Sequence, residues 1–234
     1  MKESIQFGLS TIDFDLSYAD RKTLGIKVYP DKSVQVIAPI DTPFKKIKEK
    51  VKHRAAWILK QKNFFIGFHP KTPARKYVSG ESHLYLGKRY RLKLRESKEE
   101  SVKLIKGYIF IYTKDPEDKE RIKYQLTNWY EAKANTHFDQ IVKQYESLLK
   151  KLTTKEVKVY YRWLEMRWGS CSKSARINLN YELIKAPKKC IEYVVVHELC
   201  HLAHLNHSRA FYELLEENYP NWKKTKDYLE KLMV

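Results

Sequence analysis

His197-Glu198-Leu199-Cys200-His201 sets two imidazoles four residues apart, with a carboxylate directly after the first. On a helix that spacing puts both histidines on one face, one turn apart, so both reach the same metal ion. The chemistry this pattern serves is hydrolysis. Zinc brings the pKa of a bound water towards neutrality, and Glu198 stands where a general base would take its proton. Val194, Val195 and Val196 precede the motif, Leu199 lies within it and Leu202 follows, so the helix has an apolar face to bury. Two histidines and a glutamate on a buried helix need a reason, because such groups are costly when unpaired.

A catalytic zinc takes three protein ligands and leaves a fourth position open. Four of the chain's eight histidines fall between 197 and 207. On a continuous helix His204 would lie about 10 Å along the axis from His197, and His207 about 15 Å. A third ligand from this stretch therefore requires the helix to stop and the chain to turn back. Asn206 can take the left-handed conformation that ends a helix, and Ser208 can cap the next one. The break falls where His207 can swing in, which makes it the favoured third ligand, with Glu213, Glu216 and Glu217 as rivals. His204 reads as a helix-surface histidine, or else as a contact to an anionic substrate.

Upstream, Arg167-Trp168-Gly169-Ser170-Cys171 reads as a Gly-Ser turn between strands. It could bring Arg167 or Ser170 towards the metal, where a guanidinium stabilises an oxyanion or binds a phosphate. The plainer reading is a structural turn, with Trp168 in the core and Arg167 in a salt bridge. Asn178 is a candidate contact to a substrate backbone at a sheet edge. Cys171 has no visible triad around it, and Cys190 and Cys200 read as small buried residues.

These residues need a scaffold, and the patterning predicts an α+β one. "SIQFGLSTIDFDL" alternates in part. "TLGIKVYP" and "SVQVIAP" are short β runs joined through Pro30-Asp31-Lys32. Asp41-Thr42-Pro43 opens a helix whose Phe44, Ile47, Val51, Ala55 and Ile58 share one face. Gly67 to Ser82 reads as a loop. "HLYLGKRYRLKL" and "SVKLIKGYIFIYT" are strands with Gly-Lys or Lys-Gly turns. Asp115-Pro116-Glu117-Asp118 starts a long helix over 116–152. Strands follow at "VKVYYRW" and "ARINLNYELI", then a helix from Pro187, then two short helices from Ser208 and from Tyr219-Pro220. The expected division is a β-rich half with one helix, 1–115, and an α+β catalytic domain, 116–234, with no visible internal repeat.

Charge follows the same division. Residues 1–115 carry 25 lysines and arginines against 12 acids, and the remainder 21 against 16, within a net charge of +18. A basic half attracts nucleic acid, nucleotides or acidic proteins, or is simply a solvated surface. No apolar run is long enough for a membrane span and no signal-peptide core opens the chain. Three cysteines without a CxxC pair fit a reducing cytoplasm, so a cytoplasmic location is expected.

"EMRWGSCS", "RINLNYELI" and "APKKCIEYVVVHELCHLAHLNHSRAFY" occur in that order, and together they resemble the YgjP-like metal-dependent hydrolases, near the SprT-like group. The resemblance is dense from about 160 to 222. It extends more weakly to "YADRKTLGIKVYPDKSVQVIAPI", "AAWILKQK" and "YLGKRYRLKL". It implies a zincin-like metallopeptidase core after the β-rich half: an active-site helix, a long supporting helix and a small sheet whose edge can receive substrate. It also implies one zinc ion per chain, or another divalent metal in its place, held by His197, His201 and His207, with Glu198 as general base. The expected function is a zinc-dependent hydrolase of peptides or proteins. One alternative is a nucleoside-triphosphate (UTP) pyrophosphatase on the same fold. The other is a SprT-like, DNA-associated metalloprotease or nucleic-acid-binding protein.

Overall fold

The computed structural model describes residues 1–8, 10–29, 31–66, 75–165 and 167–232. The chain divides into two compact units, Met1–Pro73 and Ala74–Met233. The expected boundary at 115 is therefore displaced by about forty residues. The cause is the core: Tyr85, Leu92, Ile109 and Ile111 share one hydrophobic cluster with the helices after 119, while Ile12, Val36 and Ile47 belong to a separate one.

The first unit is a four-stranded sheet of β1 (Lys2–Phe7), β2 (Ser10–Ala19), β3 (Gly25–Val28) and β4 (Val34–Pro39). Its order is β1-β2-β4-β3, two antiparallel hairpins joined by a parallel central pair. Alternation along β2 buries Ile12, Phe14 and Leu16, as period-two patterning requires for a sheet with one wet face. Helices α1 (Phe44–His53) and α2 (Ala55–Ile66) follow. The expected apolar face is there, with Ile47, Val51, Ala55 and Ile58 fully buried, although the helix is interrupted at Arg54. Pro43 occupies the N-cap without a side-chain cap. Pro30 of the expected turn, and residues 67–74 of the expected loop, lie outside the described residues.

The second unit begins with the same topology. Strands β5 (Ser82–Tyr85), β6 (Lys88–Glu96), β7 (Ser101–Ile105) and β8 (Tyr108–Thr113) pair in the order β5-β6-β8-β7, again two hairpins about a parallel pair. A repeat absent from the sequence is thus present in the strand order. Helix α3 (Lys119–Gln144) packs on this sheet, capped by the Asp118 carboxylate, which accepts from the Arg121 N–H at 2.9 Å. The long helix expected over 116–152 breaks at Tyr145, and α4 (Glu146–Leu152) continues it.

A three-stranded sheet comes next: β9 (Lys158–Arg162), β10 (Gly169–Cys171) and β11 (Arg176–Asn180), in the order β10-β11-β9. The Gly-Ser turn expected at 169–170 is instead edge strand β10, antiparallel to β11. The hairpin turn lies at 172–175, where Ala175 takes φ 54°. A 3-10 turn (Tyr181–Lys185) leads to α5 (Lys188–Cys200), then α6 (Arg209–Asn218) and α7 (Trp222–Leu232).

The β5–β6 turn anchors the start of α5. The Leu86 and Gly87 N–H groups donate to the Ile184 and Lys185 carbonyls at 2.9 Å each. Gly87 has φ 79°, and a Cβ there would stand 2.5 Å from Pro187 Cγ. Only glycine suits both the left-handed backbone and the approach of the proline. Among the described residues no helix is long and apolar enough to cross a membrane.

Candidate metal centre

Helix α5 is buried on nearly every side, including Val194, Val195, Val196, Leu199 and Cys200. Its last turn carries His197 and Glu198, and His201 is its C-cap, with φ −67° and ψ −14°. The exit is a tight right-handed turn, in which the Leu202 N–H donates to Leu199 and those of Ala203 and His204 donate to Cys200. Asn206 does not take the left-handed conformation expected of it. The successive turn bonds are enough to reverse the chain. Ser208 then caps α6 as expected, its hydroxyl accepting from the Phe211 N–H at 3.4 Å.

The reversal brings His207 against the helix. One ring nitrogen from each of His197, His201 and His207 lies within 4.8 Å of the others. The Nε2 atoms of His197 and His207 stand 3.1 Å apart. Tetrahedral zinc–nitrogen bonds of about 2.0–2.1 Å would place two ligand nitrogens about 3.3–3.4 Å apart, so the separation suits a shared cation. The His201 Nδ1–H donates to the His204 carbonyl at 2.9 Å, leaving Nε2 as the atom with a free lone pair. Burial, and then the two neighbouring imidazoles, push His197 down to about 3; burial also lowers His207. Both rings are therefore neutral at pH 7, the state a metal ligand needs. Three converging imidazoles fit a divalent cation.

Beneath the three rings lies Phe211, fully buried, with its centroid 5.0, 4.6 and 4.8 Å from those of His197, His201 and His207. It fixes their orientations by packing. In the sequence it looked like one more apolar residue of α6.

Glu198 is 5 % exposed, and burial pushes its carboxyl up to about 8 against the opposing charge of Arg167. It lines a cavity of about 440 Å³ with His197 and His207. Arg167, Trp168 and Gly169 form one wall, and Tyr212, Trp222, Lys226 and Glu230 another. The rings of Tyr212 and Trp222 stack at 5.1 Å, and Lys226 pairs with Glu230 at 3.7 Å. The α7 residues were missed in the sequence. Their only signal was an amphipathic helix, which says nothing about what its face meets.

Arg167 thus reaches the cavity, whereas Ser170, Asn178 and the His204 side chain do not line it. The Asn178 Nδ2 donates to Ser170 Oγ at 3.2 Å, across the β10–β11 pair. His204 contributes its carbonyl, not its ring. The asparagine that organises this region is Asn180. Its Nδ2 donates to the Leu164 and Arg167 carbonyls at 2.7 and 2.9 Å, and its Oδ1 accepts from the Leu164 and Glu182 N–H groups. Two of the rival ligands are engaged elsewhere, Glu213 with Arg209 and Glu217 with Lys151; the third, Glu216, is exposed and outside the histidine group. Burial raises Cys171, Cys190 and Cys200 to about 11, 11 and 12, which leaves all three as thiols and not nucleophiles.

The family model of the YgjP-like metallopeptidase domain matches residues 22–232. The chain belongs to the YgjP-like family. Membership makes this YgjP-like chain a metal-dependent hydrolase and implies a divalent metal. Two solved structures are similar to part of it. One is the metallopeptidase zymogen abylysin of Pyrococcus abyssi, at 25 % identity over 39 % of this chain and 90 % of that one, with a TM-score of 0.35. The other is the metallopeptidase zymogen jannalysin of Methanocaldococcus jannaschii, at 18 % identity over 40 % and 85 %, with a TM-score of 0.34. No curated protein matches the chain.

Proposed function

We propose that this protein is a zinc-dependent hydrolase of the zincin type, cleaving amide bonds in peptides or proteins. The observation that carries the proposal is the convergence of His197, His201 and His207 within 4.8 Å, beside the buried carboxylate of Glu198. In this reading the three imidazoles are the protein ligands. When bound, the zinc ion supplies Lewis acidity and makes a water sufficiently acidic to be deprotonated near neutral pH.

Glu198 holds the transferred proton. In its ionised form the buried carboxylate accepts the proton readily, because burial favours the neutral group that results. The same oxygen then returns the proton to the departing amine, so the group ends the cycle as it began. Arg167, which lines the same cavity as Glu198, neutralises charge that develops there. Strand β10 is an edge strand, and an extended substrate can pair with its free side.

The test is turnover of a peptide panel by zinc-loaded protein, with Glu198→Gln in parallel. Cleavage should fall by about 10²–10⁴-fold in the variant while zinc remains bound. Equal cleavage by both proteins would remove the assignment. A second reading has its own support: Arg167 and Lys226 both line the cavity, and two cations beside a metal suit a polyphosphate. Glu198-dependent release of pyrophosphate from a nucleoside triphosphate, without peptide cleavage, would replace the peptidase reading.

A further inference from the structure

We propose that the first unit carries a binding groove for single-stranded nucleic acid, formed by the outer face of α1–α2 and edge strand β3. The groove encloses about 870 Å³ and is lined by Leu24, Ile26, Lys46, Lys50, Arg54 and Trp57, with Glu49 and His53 beside them. All of these residues lie in the first unit, remote in sequence from the histidine cluster.

The spacing is regular. Lys46, Lys50 and Arg54 follow one another at four-residue steps, and Trp57 comes three residues later. Hydrogen bonds carry the helical path across the interruption: the Arg54 N–H donates to the Lys50 carbonyl at 3.2 Å, and the Ile58 N–H to the Arg54 carbonyl at 2.9 Å. Each four-residue step advances about 6 Å, comparable to the separation of successive phosphates in an extended strand. The opposite face of the same helices is consumed by the core, with Ile47, Val51, Ala55 and Ile58 fully buried. Lys48, on another side, is engaged by Glu3 at 3.8 Å. Lys46, Lys50 and Arg54 make no ion pair among the described residues, so three cations stand ready for an external anion. Glu49 offsets one of them.

Charge alone selects any polyanion. Trp57 narrows the choice. It is 41 % exposed and lines the groove with the cations and with the apolar Leu24 and Ile26. A cationic track with an exposed aromatic ring is how single strands are held, with phosphates on the track and a base on the ring. A duplex keeps its bases stacked inside and has no use for the ring. An acidic peptide could add to the β3 edge, but it would gain nothing specific from an indole.

The test uses the full chain and a short labelled oligothymidylate, with affinity read by anisotropy across roughly 50–200 mM salt. Binding should weaken with salt. Lys46→Gln/Lys50→Gln should reduce affinity about tenfold or more at low salt, and make the log–log salt slope shallower by about 1.4. Trp57→Ala should weaken binding about five- to a hundredfold and leave the slope unchanged. The exposed pair Lys88→Gln/Lys119→Gln, in the second unit, should have little effect, and Glu198→Gln none. The proposal is overturned by absence of binding at low salt, or by equal losses in the control pair. It is overturned equally if a duplex of the same length binds more tightly, or if oligoglutamate competes as well as the oligonucleotide.

Discussion

Gly169 lies so close to Glu198 that a Cβ on the glycine would stand 2.7 Å from Oε1 and 2.8 Å from Cγ of the glutamate. The glycine is on edge strand β10 and the glutamate on α5, so the contact joins the sheet edge to the motif helix. Gly169 has no left-handed backbone. The requirement for glycine is therefore one of space. Gly169→Ala should displace the Glu198 side chain and leave the three histidines in place. The expected outcome is unchanged zinc content with turnover reduced about 10²-fold or more, at a stability cost of about 1–3 kcal/mol. Normal turnover by the alanine variant would show that Glu198 has room to spare.

The two histidines of the turn should behave differently. His207 presents its ring to His197 and His201, while His204 presents its carbonyl to the His201 Nδ1–H. His207→Ala should weaken zinc binding more than about 100-fold, beyond the range seen when an outer-shell partner is lost. His204→Ala keeps the carbonyl and should retain affinity within a few-fold. Chelator competition separates the two, and equal losses would mean that His204 also holds the metal.

Phe211 should matter for metal binding without touching the metal. Phe211→Leu keeps an apolar filler but loses the flat ring under the imidazoles. Zinc affinity should drop about tenfold and the protein should remain folded. Phe211→Ala leaves a cavity and should cost about 3–5 kcal/mol, measured by denaturant unfolding. Unchanged affinity in the leucine variant would reduce Phe211 to a core residue.

The metal-free protein should have a characteristic stability profile. His197 is lowered from 6.5 to about 3 by burial. Its unfolded form therefore gains a proton first, and its contribution is complete above about pH 6.5 and lost as pH falls towards 3. Glu198 is raised from 4.5 to about 8, also by burial. Its unfolded form loses a proton first, so its contribution is complete below about pH 4.5 and lost as pH rises through 8. The two slopes oppose each other between 4.5 and 6.5. Above 6.5 only Glu198 acts, and stability should decline towards pH 8. Urea unfolding of chelator-treated protein at pH 6.5 and 8 should show that decline, and Glu198→Gln should abolish it. A decline that persists in the glutamine variant would place its source elsewhere.

Much of the site could be read locally, because its signals are local. The His197/His201 spacing, the Ser208 cap and the need for a chain reversal before His207 all lie within twelve residues. The elements of the β-rich half followed from period-two alternation and from turn residues, and the family resemblance from short ordered motifs. Those features are set by backbone geometry over a few residues, where side-chain type is sufficient information. Tertiary structure decided the rest. It moved the division from 115 to 73, because β5–β8 bury their apolar face on α3. It revealed one strand topology used twice, a property of pairing that no residue pattern encodes. It placed Lys226 and Trp222 in the cavity wall, set Phe211 under the three rings, and pressed Gly169 against Glu198. Phe211 is near the histidines in sequence but meets all three rings only once the chain has reversed; the other placements depend on segments far apart in the chain, fixed by how whole faces pack and invisible to any window of sequence.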